Sequence, residues 1–88
     1  MNDKTIEDII NKSINNFNLV SSKNLQIKNI RKFIFNKKFD SLATINLVMA
    51  FEEVIQNKEI INDMRKKPLN KVFKNYVSIK KFLKKYEY

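Results

Sequence analysis

The 88-residue chain has no cysteine, histidine or glycine and carries a formal net charge of +9. Those absences exclude a disulfide framework, a thiolate nucleophile, a Cys-built zinc site, the usual imidazole base and a glycine-rich phosphate loop. A chain this short forms at most one domain, here 1–88, with a modest core. Its charge points either to an anionic partner or to lysines that only solvate helix faces.

The apolar residues, taken in order, predict an all-α protein. Ile6, Ile9, Ile10, Ile14 and Phe17 recur at spacings of three and four and predict a first helix over 3–17. Asp3 is its expected N-cap, and Glu7 and Asp8 lie in the early turns, where the helix dipole favours acids. Ser21-Ser22-Lys23-Asn24 reads as a loop. Between Leu25 and Phe39 the apolar residues fit neither helical nor strand period. A helical turn around 30–35 is expected, with these residues pinning an otherwise long loop.

A second helix begins at Asp40 or Ser41 and runs to about Gln56. Either residue caps it by accepting a backbone N–H bond; Thr44, three residues after Ser41, gives no capping box. At roughly 100° per residue, Leu47, Val48, Phe51, Val54 and Ile55 form a core face. Leu42, Ile45 and Met49 fall on a different side, beside Asn46, Glu52 and Glu53. Apolar groups left in water next to one another mark a binding surface, unless another helix covers them.

Asn57-Lys58 is the expected end of this helix. Residues 60–67 predict a short third helix that stops before Pro68, because the residue preceding a proline disfavours the helical region. Pro68 then opens the next segment at its first turn. Leu69, Val72, Phe73, Tyr76, Ile79, Phe82, Leu83 and Tyr86 hold helical spacing and predict a last helix over 69–86. It is either continuous or broken near 76–77, with Ser78 capping the final piece. From Arg65 to Lys85 the basic residues are interrupted by no acid. Such a run tracks phosphates or forms the wet side of the last helix. No apolar run approaches the ~18 residues of a membrane span, and Met1-Asn2-Asp3-Lys4 shows no hydrophobic leader. The expectation is a cytoplasmic monomer with no membrane partner.

Phe39-Asp40-Ser41-Leu42, followed by Thr44-Ile45 and Leu47-Val48-Met49-Ala50-Phe51-Glu52-Glu53, resembles the acyl carrier protein and peptidyl carrier protein family. The likeness is dense over 39–55 and looser in the first helix and in the ending from Ser78 to Tyr86. The resemblance implies a four-helix bundle with a short third helix. It implies that Ser41 bears a 4′-phosphopantetheine arm taken from coenzyme A by a separate phosphopantetheinyl transferase. Asp40 and Leu42 then belong to the attachment site, with Asp40 helping to position the transferase's metal and cofactor. Leu42, Ile45 and Met49 match the apolar contacts that carrier partners use, and Glu52 and Glu53 the acidic ones. The implied partners are the transferase and the enzymes that load and transfer acyl or aminoacyl groups. A carrier does no chemistry itself, so no catalytic and no metal residue is expected in this chain.

Three features depart from the family's pattern. Lys38 stands where a glycine usually precedes the Asp-Ser-Leu element. Ala43 and Asn46 occupy positions that are often acidic, and the whole chain is basic. The stretch between Ile60 and Ile79 is longer than the family needs. Charge complementarity steers encounter and excludes wrong partners, so the reversed charge implies a dedicated partner set in a specialised biosynthetic pathway. Two other readings remain: a small basic helical nucleic-acid binder, and an unmodified carrier fold acting as an interaction subunit. The first lacks arginine and asparagine at base-reading positions of a recognition helix. An enzyme acting alone lacks a paired acid and base or a metal cluster.

Overall fold

Helix α1 (Asp3–Val20) and helix α2 (Ser41–Ile55) pack on one another more extensively than any other pair of elements. They are seen in a computed structural model that describes residues 1–86; the last two positions of the expected 1–88 domain lie outside the described residues. After α2 come α3 (Lys58–Lys66), the single-turn α4 (Leu69–Val72) and α5 (Tyr76–Lys84). Two 3-10 turns, Lys23–Leu25 and Ile30–Lys32, interrupt the connection between α1 and α2. The protein is all-helical, with no strand among the described residues.

Asparagine and aspartate set the helix starts. Asn2, not Asp3, caps α1: its Oδ1 accepts the Thr5 N–H at 2.8 Å. Asp3 instead turns to α5, where Lys84 Nζ lies 3.3 Å and Lys80 Nζ 3.6 Å from its Oδ1. The hydrogen bond from Lys84 and the charge of Lys80 hold its carboxyl below the usual carboxylate range. Gln56 closes α2 in the left-handed region, at φ 51°, and Asn57 then caps α3 through Ile60 N–H at 3.1 Å. The third helix therefore starts two residues before Ile60, because a capping side chain was available there.

The final apolar run is broken in two. Phe73, Lys74 and Asn75 separate α4 from α5, and Pro68 stands at the N-cap of α4 rather than inside its first turn. Ser78 does not cap α5. Asn75 does, accepting Ser78 N–H at 2.9 Å, while Ser78 Oγ accepts Asn75 N–H at 3.0 Å. This reciprocal capping box satisfies two donors that the helix ladder leaves over.

Most residues of the expected core faces are buried. Ile6, Ile9, Ile10, Ile14 and Phe17 of α1 meet Leu47, Phe51 and Ile55 of α2 in a single core with Ile60, Met64, Phe73, Ile79 and Leu83. Val48 and Val54 are only partly buried, and Ala43 and Ala50 take the tight positions of α2 instead. Burying apolar surface is worth roughly 25 cal/mol per Å², and this one core is where the chain collects it.

The connection between α1 and α2 is ordered by long-range contacts. Asn18, one residue past the expected end of the first helix, lies inside α1. Its Oδ1 accepts Ile27 N–H and its Nδ2 donates to Ile27 O, each at 2.9 Å. Further on, Ile34 bridges to Asn75, and Phe35 N–H donates to Lys74 O at 2.9 Å. Arg31 pairs with Glu7 at 3.1 Å and lies over the Tyr76 ring at 5.6 Å. At the end of the loop, Phe39 stacks on Phe17 and Phe35 at 5.8 and 5.1 Å and meets Phe33 edge-on at 5.8 Å. That aromatic cluster fixes the residue immediately before Asp40.

Candidate functional site around the start of helix α2

The loop reaches α2 through a chain of local hydrogen bonds. Asn36 Oδ1 accepts Lys38 N–H at 2.9 Å, and Phe39 N–H donates to Asn36 O at 3.0 Å. Lys38 makes this turn without a positive φ; among the described residues Gln56 is the one non-glycine that has it. The turn therefore needs no glycine at 38, because the Asn36 side chain supplies the bond that organises it.

Asp40 is the N-cap of α2. Its Oδ1 accepts Ala43 N–H at 2.8 Å, and its carbonyl accepts both Thr44 N–H at 2.9 Å and Thr44 Oγ1–H at 2.8 Å. Of the two capping alternatives Asp40 is thus the one used, and Ser41 becomes the first helical residue. Ser41 is exposed, and its hydroxyl has no hydrogen-bond partner among the described residues. A free hydroxyl at a helix N-terminus sits in a positive field made by N–H groups without carbonyl partners. A hollow of about 460 Å³ lined by Ser22, Asn24, Leu25, Lys38 and Asp40 reaches the residue before Ser41.

The other candidate residues of α2 divide between surface and pairing. Leu42, Ile45 and Met49 are exposed by 66%, 54% and 50%, so no helix of the described chain covers the second apolar strip. Ile45 and Met49 continue into an open cleft of about 300 Å³ between α2 and the α3–α4 region, which Val48, Glu52, Arg65 and Leu69 complete. Glu53 is exposed. Glu52 is not a free acid: its side chain is 17% exposed, and Arg65 of α3 binds it with Nε at 2.8 Å and Nη2 at 3.1 Å. Arg65 is the residue of this surface that the sequence did not single out for it. It owes its place to the packing of α3 beside α2, and periodicity carries no signal for that.

Comparison of the chain with protein-family models, with curated proteins and with solved structures finds no match. No group of three or more His, Cys, Asp or Glu that could hold a metal ion occurs among the described residues, and none of their helices is long and apolar enough to cross a membrane.

Proposed function

We propose that the chain is a carrier of acyl or aminoacyl groups that bears a 4′-phosphopantetheine arm on Ser41 and works as a monomer in the cytoplasm. One observation carries the reading: the Ser41 hydroxyl is exposed and unbonded at the first residue of a capped helix, within a sequence that resembles the carrier motif. The residues fit the group. Asp40 spends one carboxylate oxygen on the cap and so holds the serine at the tip of α2 rather than within a turn. The N–H groups of the first turn favour a phosphodiester at that tip. The arm supplies the thiol, absent from this chain, on which cargo rides as a thioester.

The same surface suits a partner that reads α2 from its start. Leu42, Ile45 and Met49 offer apolar contact beside the serine, and Glu53 offers a free acid. With Glu52 neutralised by Arg65, the acidic side of the contact is weaker than the family pattern implies. This supports a dedicated set of loading and transfer enzymes. The placement of α1, α2, α3 and α5, with α4 as one extra turn in the long stretch before Ile79, is compatible with a carrier-type four-helix bundle.

Incubation with coenzyme A and a broad-specificity phosphopantetheinyl transferase, followed by intact-mass measurement, tests the reading. The wild-type chain is expected to gain the mass of one arm and Ser41→Ala to gain none. A wild-type chain that stays unmodified while a control carrier is loaded would overturn it.

A further inference from the structure

The carrier reading makes no use of the lysines on α4, α5 and the bend before them. Lys67, Lys71, Lys81 and Lys85 surround an open cavity of about 310 Å³ floored by Val72 and Phe82, with Ser78 at its edge. Lys67 Nζ lies 5.3 Å and Lys85 Nζ 5.4 Å from the centroid of the same Phe82 ring. Two ammonium groups drawn to one ring repel each other. The nearness of Lys67, and after it the loss of hydration, push Lys85 below the usual lysine value.

Some neighbouring cations have acidic partners: Arg65 pairs with Glu52, and Lys80 and Lys84 share Asp3. None of the four cavity lysines forms an ion pair among the described residues. The carboxylate whose field reaches Lys85 is Asp63, and its Oδ2 is already taken by the Tyr86 hydroxyl at 2.6 Å. Ser78 Oγ is likewise turned to the Val72 and Asn75 carbonyls, each at 2.9 Å, so the rim offers positive charge alone.

We propose that this cavity is a binding site for a compact oligophosphate anion, gripped between Lys67 and Lys85 and closed by Lys71 and Lys81. Lysine ammonium groups act as point charges, which suits the oxygens of a phosphate chain; the guanidinium fork that favours planar carboxylates is absent here. An anion between Lys67 and Lys85 replaces repulsion by two attractions, a gain that scattered surface lysines do not offer. The apolar floor excludes water beneath the anion and strengthens both attractions. The site lies apart from Ser41 and does not depend on its modification.

Titration of the full chain with inorganic tripolyphosphate, followed by amide NMR shifts and calorimetry at constant ionic strength, tests the proposal. Shifts are expected to cluster at residues 67–72 and 78–85, and Lys67→Gln/Lys85→Gln is expected to weaken binding by about tenfold or more. The control pair Lys23→Gln/Lys28→Gln, with the same change in net charge, should alter binding by less than about twofold on the same scale. Ser41→Ala should bind like wild type, so loss of the carrier reading would leave this result intact. Equal losses from both lysine pairs, or shifts spread over all lysines, would reduce the effect to diffuse charge and overturn the proposal. A nucleoside triphosphate and vesicles bearing phosphorylated headgroups distinguish free from lipid-borne phosphate at the same lysines. A thymidine oligonucleotide that binds far more tightly than tripolyphosphate, with a footprint running well beyond these lysines, would replace the site by an extended nucleic-acid track and also overturn it.

Discussion

Arg65 of α3 holds Glu52 of α2 through two hydrogen bonds, at 2.8 and 3.1 Å, across the cleft that ends the apolar strip of α2. The pair joins the short third helix to the helix that presents Ser41. Arg65→Ala is expected to lower the midpoint of denaturant unfolding. Arg65→Lys should not restore it, because an ammonium group cannot make two parallel bonds to one carboxylate. Combined with Glu52→Gln, the loss should fall short of the sum of the single changes, as residues in direct contact require. Additive losses would show that the two side chains do not act as a pair.

The start of α2 separates two roles that lie side by side. Asp40→Ala removes the acceptor of the Ala43 N–H and should destabilise the protein by about 1 kcal/mol, as N-cap replacement does. Asp40→Asn should retain most of that stability. Ser41→Ala, which removes a hydroxyl with no partner, should leave the thermal midpoint close to wild type. A large loss from Ser41→Ala would mean that the hydroxyl is structural.

Ser13 is fully buried in α1, and its hydroxyl finds no hydrogen-bond partner among the described residues. A buried polar atom without a partner costs free energy that an apolar replacement recovers. Ser13→Ala is therefore expected to stabilise the chain by about 1 kcal/mol, helped by the higher helix propensity of alanine. The check is a higher urea midpoint with an unchanged slope.

Burial, and after it the hydrogen bond to Asp63, pushes the Tyr86 phenol up from 10.0 to about 12. The folded state thus favours the protonated phenol. That contribution is fully present below pH 10 and is lost as the pH rises toward 12. Site-resolved NMR titration should find Tyr86 ionising later than an ordinary tyrosine. Asp63→Asn should recover only part of the shift, since burial is the larger cause. Ionisation at the ordinary tyrosine value would show that the contact does not form in solution.

Much of this protein was legible from near-neighbour spacing. The apolar faces of α1 and α2, the start of α2 at 40–41, the stop before Pro68 and the gathering of Leu42, Ile45 and Met49 on a second strip all follow from residues within one or two turns of one another; that nothing covers the strip was decided by the tertiary structure. Helix periodicity and capping act over that range, so the chain states them locally. The caps were the least secure of these readings. Asn2 and Asn75 were each in reach of a helix start, and local pattern alone did not choose them over Asp3 and Ser78.

Everything that joins distant segments was decided by the tertiary structure. The loop before Asp40 holds its shape because Phe39 meets Phe17, Asn18 clasps Ile27 and Ile34 reaches Asn75. Glu52 loses its freedom because α3 folds back with Arg65, and Lys67 meets Lys85 because the break at 73–75 returns α5 beside the bend at Pro68. Such pairings depend on how whole helices are placed against a shared core. No spacing along the chain encodes them, because the residues involved become neighbours only after that core has formed.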